Sequence, residues 1–205
     1  RNSVINSTLR VAGQLLFCVL TAYAFARFEF RSRDALFALV LGAMMIPPQL
    51  TVIPNYILIA KLEWFDTFQG LIVPHLAAPF GIFLLRQHML AFPRELLDAA
   101  EIDGAGHWKA LWVILVPNLR PALAALTIIL FIESWNEYFW PLVVTESPAT
   151  QTIQIGLRRF LQDEMGDRYS ALMAAVTLAS LPALALFFAF HRHVLESFVS
   201  SGLKG

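Results

Sequence analysis

The sequence predicts an all-α, polytopic transmembrane helical bundle. Hydrophobic residues make up 58% of the chain and charged residues only 15%, whereas a soluble domain has about 45–50% and about 25%. The apolar residues also come in long blocks, and residues 171–190, ALMAAVTLASLPALALFFAF, carry no formal charge. As a helix, such a block is long enough to cross a bilayer core of roughly 30 Å. No block alternates like a membrane β-strand, so helices are the expected spans.

Five blocks are long enough to cross the membrane. They cover residues 6–26, 35–60, 68–87, 121–143 and 171–190, and the last continues to about His193. The second block is interrupted by Pro47-Pro48 and by Pro54, because a proline inside a helix removes a backbone hydrogen bond. The five blocks predict a single transmembrane domain over residues 1–205. The chain begins with Arg1-Asn2 rather than with methionine, and we expect an N-terminal piece to precede it.

Basic residues orient the bundle, because cytoplasmic loops carry an excess of lysine and arginine. The short loop after the first block contains Arg27, Arg31 and Arg33, which places that loop in the cytoplasm. Residues 88–120 and the C-terminal end then lie in the cytoplasm as well. The basic residues expected outside are Arg1, Arg10, Lys61, Arg158, Arg159 and Arg168. The outer loop 145–168 mixes both signs of charge, and it is either solvated or a contact for an external partner.

The cytoplasmic residues 92–117 predict two short helices joined by a glycine bend. Pro93 suits the first turn of a helix, where its missing N–H costs nothing. Glu95 and Asp98 follow, and negative charge is favourable near the positive end of the helix dipole. Gly104 then ends the helix in left-handed geometry. The second helix, residues 107–115, carries Trp108 and Trp112, which are typical of the membrane interface, and Pro117 marks the start of the bilayer.

The small side chains of Ala99 and Ala100 would let another protein approach this segment closely, although a solvated connecting loop is the open alternative. The segment also resembles the EAA signature of ABC-transporter permeases, which runs E-A-A, three residues, G, nine residues, I, one residue, L-P. At the same spacings this sequence has Asp98-Ala99-Ala100, Gly104, Ile114 and Val116-Pro117. Aspartate for glutamate and valine for leucine are the two departures. The string AEIDGA, residues 100–105, strengthens the resemblance.

Other stretches are similar to the maltose-type carbohydrate permeases, a subgroup that includes sn-glycerol-3-phosphate importers. They are FLLRQHMLAFPRELLDAAEIDGAG at residues 83–106, FIESWNEYFWPLVV at 131–144 and the ending SGLKG at 201–205. The resemblance implies the transmembrane permease subunit of an ATP-driven, binding-protein-dependent carbohydrate importer in the inner membrane of a bacterium or archaeon. It also implies one further N-terminal helix, giving six spans.

The resemblance implies partners rather than chemistry on this chain. The partners are a second homologous permease, two ATPase subunits that bind ATP and magnesium, an external solute-binding protein and membrane lipid. No cofactor and no catalytic residue are expected on the chain itself. The residues implied in coupling to the ATPase are Asp98, Ala99, Ala100, Asp103, Gly104, Ile114 and Pro117. A weaker contact is implied for the C-terminal tail, Gly202, Leu203, Lys204 and Gly205.

Polar residues inside the spans are candidates for the substrate pathway, because a charge at a helix centre costs roughly 2.5–3.5 kcal/mol on insertion scales and normally faces a cavity or a partner. Glu133, Asn136, Glu137 and Trp140 lie three or four apart and so share one helix face. They would suit a sugar ring and its hydroxyls, or they form a hydrogen-bond cluster between helices. Gln49 and Asn55 beside the prolines of the second block are either pathway residues or ordinary packing.

Three other functions compete with this interpretation. A secondary transporter driven by an ion gradient would use Glu133 or Glu137 and would show matching broken helices in two halves, but only the second block looks broken. A membrane enzyme would need companions for His75, His88 or His107, and a purely structural subunit would need none. The zero net charge gives no sign of nucleic acid. We expect no metal site, since Cys18, His191 and His193 lack further ligands.

Overall fold

A computed structural model describes residues 1–162 and 169–202, with the surroundings of side chains described for residues 1–158 and 169–189. Across these ranges the chain forms helices and turns without a strand. The helices are α1 (Asn2–Arg27), α2 (Arg33–Ala43), α3 (Pro48–Lys61), α4 (Phe68–Ile72), α5 (Pro79–Ala91), α6 (Arg94–Ile102), α7 (His107–Asn118), α8 (Arg120–Asn136), α9 (Phe139–Val144), α10 (Ile153–Gln162) and α11 (Tyr169–Gly202). The prediction of an all-α chain is therefore confirmed.

Two of these helices are long and apolar enough to cross a membrane unbroken. They are α1 and the described part of α11, Tyr169–Ala189. Three further candidates are bent pairs: α2 with α3 at 102°, Phe68–His75 with α5 at 46°, and α7 with α8 at 78°. By length and composition, the described residues thus contain two spans, or up to five if each bent pair is one span.

Bends are more numerous than the sequence suggested, and the expectation that only the second block is broken was wrong. The break at Pro47 is confirmed, but α3 continues through Pro54 to Lys61. Residues 68–87 are bent beside Pro74 and Pro79, whose missing N–H groups interrupt the helical ladder. The lack of matching breaks is therefore no argument against a secondary transporter.

The block at residues 121–143 is not one continuous helix either. Helix α8 ends at Asn136, and α9 begins at Phe139. Pro141 explains the break, because in a continuous helix its ring would clash with the carbonyl of Glu137 four residues earlier. The polar residues on either side of this break therefore do not lie on one helix.

Contact between Cα atoms divides the chain into two compact units. The first consists of Arg1–Gly13, Pro47–Leu76 and Ile128–Ala189. Its core contains Ile59, Leu71, Trp140 and Val144, and the indole Nε1 of Trp140 donates to the carbonyl of Gly70 at 3.0 Å. A Cβ atom on Gly70 would lie 2.3 Å from the carbonyl oxygen of Trp64, so this close approach requires glycine.

The second unit consists of Gln14–Ile46, Ala77–Thr127 and Phe190–Gly205. Its fully buried side chains include Cys18, Leu85, Met89 and Leu111. The Cys18 thiol lies 3.5 Å from the carbonyl of Ala78, which agrees with the packing role expected for this residue. This unit contains α6 and α7, the segment with the EAA signature.

In the first unit, Asp66 joins the turn after α3 to the loop after α9. Its backbone is left-handed, with φ 55°, and its N–H donates to the carbonyl of Val144 at 2.8 Å. Its carboxylate accepts from the N–H groups of Glu146 and Ser147, both at 3.1 Å, and from the hydroxyl of Thr150. The hydrogen bonds from Ser147 and Thr150 lower the pKa of Asp66 to about 2.

Removing this carboxylate should loosen the loop at residues 145–150. In the complete transporter, Asp66→Ala should reduce the hydrogen-exchange protection of the Glu146 and Ser147 amides, whereas Glu63→Ala, which removes an exposed carboxylate from the same turn, should not. Because the pKa is lowered, the contribution is complete above about pH 4 and is lost as the pH falls toward about 2. Unchanged protection in Asp66→Ala would contradict the anchoring role.

Candidate functional site

Helix α6 starts and runs much as the sequence predicts. Pro93 is the residue just before the helix, with φ −55° and ψ 125°, rather than a member of its first turn. Glu95 lies in the first turn, as expected. Leu97 and Ala100 are half-buried, while Asp98 and the remaining residues of α6 are exposed. The helix is therefore a surface element that rests on the protein by one narrow stripe.

Gly104 ends α6 in the predicted left-handed conformation, with φ 80°. The N–H of Gly104 donates to the carbonyl of Glu101 at 3.0 Å, and the N–H of Ala105 donates to that of Ala100 at 2.8 Å. These two bonds are the Schellman pattern that closes the last turn of a helix. The bend is thus a defined structure and not a loose loop.

Helix α7 differs from a regular α-helix in its middle. Residues Ala110–Leu115 are π-helical, between α-helical turns at His107–Lys109 and Val116–Asn118. Such π stretches are rare and often lie at functional sites. Ile114 and Pro117 are half-buried, and Pro117 is the second residue of the α-helical turn Val116–Asn118.

The two tryptophans of α7 are exposed side by side. Trp108 is 66% exposed and Trp112 is 39% exposed. Their rings are stacked, with centroids 6.4 Å apart and planes 6° apart. This position fits the membrane-interface role expected of them.

A polar cavity of about 470 Å³ lies between α6 and the end of α1. Its charged lining side chains are Arg27, Glu29, Arg33, Arg94, Asp98 and Glu101. Within the described part of the chain, the ion pair with a nitrogen–oxygen distance below 4 Å joins Arg33 to Asp34. The charged side chains around the cavity therefore form no such ion pair with one another. Asp98, at the first signature position, therefore borders a charged cavity within its own chain, while Ala99 and Asp103 face solvent.

The substrate-pathway candidates do not share one face as predicted. Glu133 and Asn136 are both exposed on α8, but Glu137 follows the helix end and is half-buried. The Glu137 carboxylate accepts from the N–H of Trp140 at 3.3 Å and so caps the start of α9. Trp140 is only 3% exposed, within the core, which favours the packing alternative over stacking on a sugar ring. Its place in the substrate pathway stays a prediction.

The roles of Gln49, Asn55 and the C-terminal tail stay predictions. Gln49 is exposed in the first turn of α3, and Asn55 is half-buried beside Pro54. The expected tail contact falls outside the described residues for Leu203, Lys204 and Gly205, and the surroundings of Gly202 are not described either.

Arg10 is a residue that the sequence reasoning misplaced among the outside charges. It lies inside α1, is 3% exposed, and its Nε has no hydrogen-bond partner among the described residues. The charges of Glu137 and Glu133 attract it. Buried polar side chains share its helix face: Ser3, Asn6, Ser7 and Gln14. This spacing of three or four was visible in the sequence and could have located the stripe.

Comparison with known families decides the class of protein. Residues 15–198 match the family model described as "Binding-protein-dependent transport system inner membrane component". The chain belongs to this family. It is therefore a transport permease, and nothing in the match supports the ion-gradient alternative.

Three relatives of this permease cover nearly its whole length. The arabinooligosaccharides transport system permease protein AraQ of Halalkalibacterium halodurans is 37% identical over 204 residues, which are 100% of this chain and 73% of AraQ. The sn-glycerol-3-phosphate permease UgpE of Yersinia enterocolitica is 33% identical, over 98% of this chain and 72% of UgpE. The lactose transport system permease protein LacG of Rhizobium radiobacter is 34% identical, over 98% of this chain and 73% of LacG.

A solved structure shares the fold of the permease. It is the crystal structure of a bacterial ABC transporter involved in the import of the acidic polysaccharide alginate. The TM-score is 0.82 at 23% sequence identity, and the match covers 94% of this chain and 73% of the other. The helical ABC-permease fold expected from the sequence is thereby confirmed.

Proposed function

We propose that this chain is one of two permease subunits in an ATP-driven importer of a carbohydrate or a small polyol phosphate. A second homologous permease, two cytoplasmic ATPase subunits and an external solute-binding protein complete the transporter. The three relatives are named for arabino-oligosaccharides, sn-glycerol-3-phosphate and lactose, all rich in hydroxyl groups.

Exposed apolar side chains on α6 support the proposal that this helix docks on an ATPase. Leu96 is 55% exposed and Ile102 is 87% exposed, on a helix of nine residues. The two side chains lie about 120° apart around the helix, so a groove that surrounds α6 would cover both of them. The small exposed side chain of Ala99 would let the partner approach the backbone.

The rigid end of α6 supports a mechanical role. Moving a two-state equilibrium from 1:99 to 99:1 requires about 5.5 kcal/mol of differential binding. ATP-driven closure of the ATPases would supply this free energy, and α6 would pass it to the membrane helices. The Schellman bonds at Gly104 and Ala105 keep α6 at a fixed angle to the chain that follows, so displacement of α6 is not lost in a flexible joint.

Glu133 and Asn136 are the pathway candidates that the geometry favours. Both side chains are exposed on α8, although this helix belongs to a membrane-span candidate. Polar side chains at such positions face a water-filled cavity or a partner helix. A carboxylate and an amide in a wet pathway would exchange hydrogen bonds with solute hydroxyls.

The test is reconstitution of the complex in liposomes with ATP inside and no ion gradient. Candidate solutes are presented with the binding protein, and ATP hydrolysis and solute uptake are measured together. We expect one class of hydroxyl-rich solute to stimulate both activities, with no effect of ionophores. Uptake that needs an ion gradient and proceeds without ATP would overturn the proposal.

Two cysteine variants test whether α6 docks on an ATPase. A cysteine at Ile102 should crosslink to an ATPase subunit, and a cysteine at the exposed Leu39 of α2 should not. Equal crosslinking at both positions, or at neither, would contradict the docking role of α6.

A further inference from the structure

A second cavity lies beside the start of α7 and is almost entirely apolar. Its volume is about 620 Å³, within the range of pockets that hold small organic molecules. The lining residues are Leu20, Tyr23, Phe28, Gly106, His107, Trp108, Lys109 and Leu111. Neither the family match nor the proposed ATPase contact accounts for it.

The walls of this pocket are fixed by contacts between α1 and α7. The hydroxyl of Tyr23 donates to the carbonyl of His107 at 3.4 Å. The ring of Phe28 lies edge-on to the rings of His107 and Tyr23, with centroids 5.0 Å and 5.7 Å apart. The pocket is therefore formed before any ligand enters, and filling it requires little reorganisation.

Its position is the boundary between hydrocarbon and water. Leu20 and Tyr23 lie in the last two turns of the span candidate that ends at Arg27. The other wall includes Trp108, which stacks on Trp112 outside the pocket, and this exposed pair has the character of an interfacial aromatic belt. Lipid acyl chains and headgroups meet at this depth, on the side that the arginine-rich loop 27–33 assigns to the cytoplasm.

The charge of the lining selects an anionic ligand. Lys109 is exposed and contributes an ammonium group, and none of the lining residues is an aspartate or glutamate. The cytoplasmic leaflet is rich in anionic lipid, and basic pockets on that side bind lipid phosphates. An apolar chamber with one cation among its walls matches an acyl chain attached to a negative headgroup.

We propose that this pocket binds one anionic phospholipid of the cytoplasmic leaflet. An acyl chain lies among Leu20, Phe28 and Leu111, and the headgroup phosphate lies against Lys109. The lipid joins the end of α1 to the beginning of α7, directly after the bend that ends α6. This site is independent of which solute is transported and of how α6 contacts the ATPase.

The test uses the complete transporter in nanodiscs of phosphatidylcholine with a minor fraction of phosphatidylglycerol. Native mass spectrometry counts the phosphatidylglycerol that stays bound to the permease. A cation near the membrane surface contributes about 1 kcal/mol, so Lys109→Gln should lower retention about fivefold. Lys109→Arg should retain the lipid, and so should Lys61→Gln, which removes an exposed lysine from the other unit.

A second variant tests the apolar part of the pocket without changing its charge. Leu20→Trp fills the chamber and should lower retention of both the anionic and the zwitterionic lipid. Equal retention of phosphatidylglycerol in Lys109→Gln and Lys61→Gln would overturn the proposal, as would equal occupancy by phosphatidylcholine. Loss of lipid in Lys109→Gln with intact uptake would support the site, since the proposal concerns binding.

Discussion

Gly104→Pro should abolish solute uptake while the membrane helices still insert. The backbone of Gly104 has φ 80°, and proline is fixed near −65°, so the α6 end cannot keep its present geometry. Proline also removes the N–H that donates to the carbonyl of Glu101. The scale of the disruption is that of a proline inside a helix, which costs about 3 kcal/mol or more. A tenfold change in rate corresponds to about 1.4 kcal/mol, so we expect uptake to fall by about two orders of magnitude.

Two alanine variants separate backbone strain from a general sensitivity of the bend. Gly104→Ala places a side chain at a left-handed position, which costs roughly 1–2 kcal/mol. Gly106→Ala makes the same chemical change at φ −70°, where a Cβ would meet no atom within 4 Å. Solute uptake and binding-protein-stimulated ATP hydrolysis should fall in the first variant and stay near wild type in the second. Normal uptake in Gly104→Pro would rule out the coupling role of this bend.

Glu137→Gln should destabilise the permease, and Arg10→Met should reverse that loss. Arg10 lies inside α1 and is 3% exposed, and the charges of Glu137 and Glu133 attract it. Glutamine keeps an oxygen that accepts from the N–H of Trp140, so the variant removes charge and not the cap of α9. A buried charge that loses its compensation is strongly unfavourable. The melting temperature of the purified complex should therefore fall.

A double-mutant cycle measures this coupling directly. In the Arg10→Met background, Glu137→Gln no longer leaves a buried cation uncompensated. The substitution should therefore no longer lower the melting temperature. We expect an interaction free energy of about 0.5–3 kcal/mol between the two positions. Glu146→Gln, which changes an exposed carboxylate in the loop after α9, is the matched control and should show no coupling to Arg10. Additive effects of Arg10→Met and Glu137→Gln would contradict the pairing.

The features predicted well from the sequence are those fixed by neighbouring residues. The end of α6 is an example, because one glycine and two local backbone bonds determine its geometry. The acidic first turn, with Glu95, and the two tryptophans of α7 are also set by residue type and position. The signature spacing located the same segment by resemblance.

The features that the sequence did not reveal depend on residues far apart in the chain. The break after Asn136 leaves Trp140 in the core, where its indole meets the carbonyl of Gly70. No residue near Trp140 in the sequence indicates that Gly70 is its hydrogen-bond partner. The sequence did not reveal what lies against Arg10, because Glu133 in α8 and Glu137 just after α8 are far from Arg10 along the chain. A helical plot of α1 would have shown the polar stripe but not what lies against it.

The end of α6 at Gly104 is closed by backbone hydrogen bonds, to which the side chains of Glu101 and Ala105 contribute nothing. The angle of the bend and the chemistry of the α6 surface are therefore separable properties. Substitutions at Leu96, Ala99 or Ile102 would therefore change the exposed surface of α6 without altering the angle. Under the proposed docking on an ATPase, affinity for the partner and the direction in which α6 moves would be set by different residues.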